Sequence, residues 1–185
     1  MLYSHAITTN NQKVLRFLAK FSDKEFFERE ISRQLAISSG SANRALNELY
    51  SSGTAVRRNE GKMYFYSINP SSPSLTEYKK IVNLSLIEPL LEKLKKVSNR
   101  AILYGSCATG TDTSDSDMDL FIVSGKKKEV AKIISDFKFP RGYEHVAIQY
   151  IVKTPVELLE TSNSEQAFIR EVESGLVLWE KSAHE

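Results

Sequence analysis

Apolar residues in the first fifty positions recur at helical spacing. Val14, Leu15, Phe17, Leu18 and Phe21 form one face and predict a helix over residues 11–21. Residues 1–10 before it read as an arm. Phe26 and Phe27 close a short connection against that face. Ile31 and Leu35, at i and i+4, predict a second helix over 28–35, with Ala36 and Ile37 closing the turn. Ser38-Ser39-Gly40-Ser41 supplies N-cap candidates for a third helix over 42–51. There Ala42, Ala45, Leu46 and Leu49 face inward, while Asn43, Arg44 and Asn47 face out. Gly53 is a fitting stop. The pattern then becomes strand-like over 54–58 and 63–68, around an Asn59-Glu60-Gly61-Lys62 turn in which Gly61 can take positive φ.

Pro70-Ser-Ser-Pro-Ser74 marks a boundary. Ile81, Leu84, Ile87, Leu91 and Leu94 then predict a helix over 75–98, which Pro89 kinks or divides. This stripe either packs on the following domain or forms a dimer seam. A short apolar run at 101–104 predicts a strand, which Gly105-Ser106 breaks before a polar connector. A second strand covers 117–123, a lysine-rich turn follows at 124–128, and 129–137 reads as a helix. The three lysines suit a solvated helix start better than a phosphate site. A strand at 146–152, a helix opening at Thr154-Pro155, a helix over 164–174 and a strand at 176–179 complete the chain. The order β-α-β-α-β-α-α-β predicts an α/β domain with a mixed sheet, α+β for the whole chain. The implied division is 1–70, a helical linker at 71–99, and 100–185.

The composition, 41% hydrophobic and 26% charged, is that of an ordinary globular chain. The net charge of +2 identifies no partner, but residues 1–72 hold 10 Lys/Arg against 6 Asp/Glu and the remainder 15 against 17. A mildly basic front and a mildly acidic back suit two tasks. Cys107 is the single cysteine, so no internal disulfide forms, in keeping with a reducing cytoplasm. No leader and no apolar run of membrane-spanning length is expected.

The chemistry concentrates at 101–123. On a strand, Asp117 and Asp119 point to the same face. Two such carboxylates repel unless a cation or proton lies between them, and their oxygens suit hard divalent ions such as Mg²⁺ or Mn²⁺. Gly105 permits close backbone approach, and Ser106 adds a hydroxyl and an N–H. Gly105, Ser106, Gly110, Ser116, Asp117, Asp119 and Leu120 together resemble the nucleotidyltransferase fold of the polymerase-beta superfamily, and most closely its minimal members from archaea and bacteria. The resemblance implies a metal-bound nucleoside triphosphate, with Gly105 and Ser106 at the nucleotide. It also implies Asp117 and Asp119 as catalytic metal ligands, and transfer of AMP or another nucleotide to a hydroxyl. It further implies a third carboxylate on the later strand, where this chain has Gln149. Cys107 and Thr109 stand where an aromatic residue and an arginine are common in the family. His145 is placed on the Gln149 strand face as a substitute ligand, with Glu144 beside it.

The order helix, helix, turn, helix, hairpin over about residues 11–70 resembles winged helix-turn-helix transcriptional regulators. That resemblance implies a third helix in the major groove of duplex DNA and a wing on the backbone. Asn43, Arg44 and Asn47 would meet base edges, Ser39 and Ser41 would reach phosphate, and Arg57, Arg58 and Lys62 would neutralise phosphates. The competing reading is a winged helix that docks a protein. For the whole chain two functions stand: a nucleotidyltransferase fused to a DNA-binding domain, or a regulator whose transferase-like domain senses nucleotide or mediates assembly. A homodimer is expected, and the family resemblance adds a helical toxin-like protein partner.

Overall fold

A computed structural model describes residues 9–160 and 165–181. The first eight residues of the expected arm and the expected helix start at Ser164 lie outside them. Thr9, placed in the arm by sequence, instead caps helix α1 (Asn10–Lys20): its hydroxyl accepts from Gln12 N–H while the Gln12 side chain accepts from Thr9 N–H. Strand β1 (Phe26–Phe27), helix α2 (Glu28–Leu35), helix α3 (Ser39–Ser51) and strands β2 (Ala55–Glu60) and β3 (Met63–Ile68) follow. Ser38 is the α3 cap, so the helix starts three residues earlier than expected. β2 and β3 form an antiparallel hairpin, and β1 pairs with the other side of β3, through Phe26↔Tyr66 and Phe27↔Phe65. Val14, Phe17, Leu18, Ile31, Ala42, Ala45 and Leu46 are buried beneath it.

Helix α4 (Leu75–Leu94) leads to the second sheet. Pro89 lies inside one continuous helix rather than dividing it. The inward face consists of Val82, Leu86, Ile87, Leu90 and Leu94, whereas Ile81 of the expected stripe is 45% exposed. Apolar residues surround this helix, so spacing alone does not select the face that packs. The second sheet has the order β6-β5-β4-β7, from β4 (Arg100–Tyr104), β5 (Met118–Val123), β6 (Ile148–Lys153) and β7 (Leu176–Glu180). β5 and β7 flank β4 antiparallel, and β6 joins β5 in parallel. The parallel crossover runs through α6 (Lys127–Ser135), and α7 (Pro155–Leu159) and α8 (Gln166–Glu173) connect β6 to β7. The expected order of strands and helices and the mixed sheet are present. The helix that this order has between its first two strands is the short α5 (Gly105–Thr109), which opens the segment the residue pattern leaves as a polar connector.

The buried core does not stop at Pro70. Residues of α1, α3, α4, β4, α5, β5 and α6 belong to one continuous apolar cluster. Phe21 lies 5.8 Å from Tyr143 and 4.7 Å from His145, ring centre to ring centre. Phe21, just after α1, therefore packs on the irregular segment that precedes β6.

Candidate functional site

β4, α5 and β5 build the site. The Tyr104↔Asp119 pair closes the β4–β5 register, and the chain then turns at Gly105, where φ is +68°. A side chain there would be doubly opposed. Its φ is one that L residues disfavour, and a Cβ would lie 2.8 Å from Asp119 Oδ2. Gly105 thus brings the start of α5, with Ser106 at its first turn, against the Asp119 carboxylate. Gly110 ends the helix at φ +76°, and a Cβ there would collide with the Thr76 carbonyl of α4.

Asp119 is half-buried in β5, and Asp117 lies just before the strand. Burial raises the pKa of Asp119 above the ordinary carboxylate value, and negative charge on Asp117 and Glu171 raises it further. Burial, with Asp119 and Glu171 nearby, likewise raises Tyr104. Glu171, on α8, is thus a third carboxylate within electrostatic reach of Asp119. Sequence reasoning missed it because nothing local in its helix distinguishes it from a solvated glutamate.

The parallel register sets Gln149 opposite Asp119. Its role differs from that of a ligand. Gln149 Nε2 donates to Asp117 Oδ2 at 2.6 Å, so an amide N–H, not a carbonyl oxygen, faces the aspartate. His145 is not on that strand: it precedes β6 and rests on the Phe21 ring. Burial is the main cause of its lowered pKa. Glu144 accepts from Gly142 N–H at 2.8 Å. Cys107 is a buried thiol, pushed up to about 12 chiefly by burial, and its sulfur donates to the Asp117 carbonyl at 3.3 Å.

Among the described residues no three His, Cys, Asp or Glu side chains form a closed metal cage. Asp117 and Asp119 nonetheless fit Mg²⁺, which is commonly held by one or two carboxylates with the remaining positions filled by phosphate oxygens and water. Burial is the largest cause of the raised pKa of Asp119, and a cation would relieve only the part that comes from Asp117 and Glu171.

A cavity of about 540 Å³ opens beside Asp117. Phe26, Lys24 and Gln34 of the N-terminal half line one wall, and Ser116, Asp117 and His145 the other.

The family model described as "Polymerase beta, Nucleotidyltransferase" matches residues 86–184, more than half of the 185-residue chain. The chain belongs to the polymerase beta nucleotidyltransferase family. Within the matched segment, α5 carries Gly105 and Ser106, β5 carries Asp119, and Asp117 immediately precedes β5. A solved crystal structure from Sulfolobus solfataricus, described as a candidate nucleotidyltransferase, shares 19% identity. The alignment covers 56% of this chain and 94% of that one with a TM-score of 0.34, a likeness that carries no argument here. No curated protein matches the chain.

The residues expected at DNA lie outside the matched segment and divide into groups. Ser39, Asn43 and Lys62 line a cleft of about 550 Å³ between α3 and the β2–β3 hairpin. Arg44 and Asn47 line a shallower concavity on α3. Asn43 donates to Glu28 at 3.0 Å, Asn47 donates to Asn43 at 2.8 Å, and Ser41 N–H is held by Ser38. Arg57 lies 4.3 Å from each of the Tyr50 and Tyr64 ring centres, a stacked guanidinium that remains charged. Arg58 is paired with Glu25 and Glu60, each at 2.7 Å. Arg58 is thus the most fully engaged of the three expected phosphate contacts. Among the described residues no helix is long and apolar enough to cross a membrane.

Proposed function

We propose that this family member binds a nucleoside triphosphate with Mg²⁺ or Mn²⁺ at Asp117 and Asp119, and transfers a nucleotide monophosphate slowly to a hydroxyl acceptor. The observation that carries the proposal is Gly105 at positive φ against Asp119, with Asp117 beside it. The metal supplies charge neutralisation on the phosphates and the reacting oxygens. Asp117 and Asp119 would hold it, and Ser106, beside them at the start of α5, would offer its hydroxyl to the phosphates. In the transfer, the acceptor oxygen bonds to the α-phosphorus as the bond to pyrophosphate breaks, and the hydroxyl proton leaves to a base. Gln149 cannot take that proton and adds no charge, which supports slow turnover.

A DNA-binding role for residues 1–70 is part of the proposal. Support comes from the order α1-β1-α2-α3-β2-β3, which is that of a winged helix, and from the polar α3 face flanked by Arg57 and Lys62. Residues 71–99 are the proposed linker and 100–185 the transferase domain. A cytoplasmic homodimer that regulates transcription, with a helical protein partner, completes this reading. A second reading, faster transfer, draws on Glu171, whose negative charge is felt at Asp119 and adds anionic charge where Gln149 adds none.

The test is pyrophosphate release from each triphosphate with Mg²⁺ or Mn²⁺ and candidate acceptors. Slow release that Glu171→Gln leaves unchanged supports the first reading. Brisk release that Glu171→Gln abolishes supports the second. No release together with no nucleotide binding refutes both.

A further inference from the structure

Asp119 and Asp117 are fixed by different means. Asp119 is inside β5, paired with strands on both sides. Asp117 precedes the strand, at the end of an irregular segment that runs from Thr111. Residues that are distant in sequence anchor that segment. Asp23, in the turn after α1, accepts from Ser114 N–H and from Ser114 Oγ, both at 2.7 Å. Lys20, at the end of α1 and 1% exposed, donates to Asp112 at 2.8 Å. Asp112 is itself buried and also accepts from Asn83 at 3.0 Å, while the Lys79 ammonium bonds its carbonyl oxygen. The Lys20 ammonium lies 3.7 Å from Cys107 Sγ, and that sulfur reaches the Asp117 carbonyl. A polar chain therefore runs from the first helix of the N-terminal half to the backbone of Asp117.

We infer that the N-terminal half is a working part of the nucleotide site, with Asp23 and Lys20 as positioning residues that hold segment 112–116 and so place Asp117 beside Asp119. The inference rests on the reading that the two aspartates bind the metal–nucleotide. Two ligands on one rigid strand need no such help, but a ligand just outside the strand does. A cation requires both carboxylates within the bite of its coordination shell, so a small drift of Asp117 loses one ligand. The buried ammonium groups bear on this as well. Lys20 and Lys79 share one aspartate, and an arrangement so costly to desolvate holds its partners in one geometry. The wall that Lys24 and Phe26 add to the cavity at Asp117 places the same N-terminal half beside any ligand there. A ligand that shifts the α1–β1 turn would alter nucleotide affinity, and nucleotide would alter that ligand's affinity by the same factor.

Asp23 is exposed, so Asp23→Ala removes the two bonds to Ser114 without emptying the core. Asp23→Asn keeps one acceptor oxygen, and Ser114→Ala removes the partner hydroxyl. The measurement is calorimetric titration of the full chain with ATP in the presence of Mn²⁺, beside the thermal unfolding midpoint of each variant. Asp23→Ala should weaken binding about ten- to a hundred-fold, the usual cost of removing a group that orients a metal ligand, with the midpoint retained. Asp23→Asn should restore part of the affinity. Wild-type affinity in Asp23→Ala would overturn the inference and leave the proposed function standing. A loss of affinity that merely follows loss of stability across the three variants would overturn it too. Failure of the wild type to bind any triphosphate would overturn the proposed function, and the inference with it.

Discussion

Gln149 donates its amide to Asp117 at 2.6 Å, at the place where the family resemblance calls for a carboxylate. The amide satisfies one oxygen of Asp117 but contributes no negative charge. Two dications about 4 Å apart repel each other and depend on surrounding anionic groups. Gln149→Asp supplies one. It is expected to raise Mn²⁺ affinity and to increase pyrophosphate release over the native protein, both measured by titration and a coupled assay. An Asp at 149 that leaves both unchanged shows that charge at this position does not limit the site.

Gly105 offers a sharper structural test. Gly105→Ala must adopt φ near +68° or distort the turn, and its Cβ meets Asp119 Oδ2 at 2.8 Å. The backbone conformation alone costs about 1–2 kcal/mol. Denaturant unfolding should show at least that loss, and nucleotide affinity should fall further as Asp119 is displaced.

Cation binding should depend on pH in a direction set by Asp119. Its pKa is raised above the ordinary value of 3.8 by burial, and then by Asp117 and Glu171. The neutral carboxyl is favoured in the fold, so its stabilising contribution is full below the unfolded value and is lost as pH rises through the folded one. A cation needs the ionised form. Mn²⁺ affinity should therefore rise with pH across that window, and the binding should release a proton there. Glu171→Gln removes one repelling charge and should move the window to lower pH. Titrations at several pH values in two buffers of different ionisation enthalpy measure both effects.

Much of the transferase half is legible in the sequence because its signals are local. Apolar runs at 101–104 and 120–123, separated by Gly105 and a polar segment that ends in Asp117-Met118-Asp119, mark β4, β5 and the carboxylate pair. Alignment of the later strand singles out Gln149, which the parallel register then sets opposite Asp119. What stays hidden arises from contacts across the chain. The Asp23–Ser114 bonds join residues 91 positions apart, and neither residue belongs to a pattern. Glu171 gains its importance only because α8 folds back over β4. The inward face of α4 is ambiguous because apolar residues encircle it, and β1, two residues long, is too short to show alternation. His145 is misplaced by sequence because the run 146–152 begins as an irregular segment that Phe21 covers, and pairing starts only at Ile148.

The proposed DNA interface separates into base and backbone contacts. Arg44 is exposed on α3, and if it forms a bidentate contact with a base, Arg44→Ala should cost about 1–3 kcal/mol of sequence discrimination. Arg57, stacked between Tyr50 and Tyr64, should act on phosphate: Arg57→Ala is expected to weaken all duplexes alike and to lower the salt slope by about one. Gel shifts at two salt concentrations distinguish these effects. Absence of binding to any duplex at low salt would favour protein docking by this half.

Calorimetric titration with ATP and the other nucleoside triphosphates in Mg²⁺ shows whether Asp117 and Asp119 hold the metal–nucleotide. The native chain is compared with the Asp117→Ala/Asp119→Ala double variant. Metal-dependent binding by the native protein is expected, with its loss in the double variant and the unfolding transition preserved. Equal binding by the two proteins would contradict the assignment of the site.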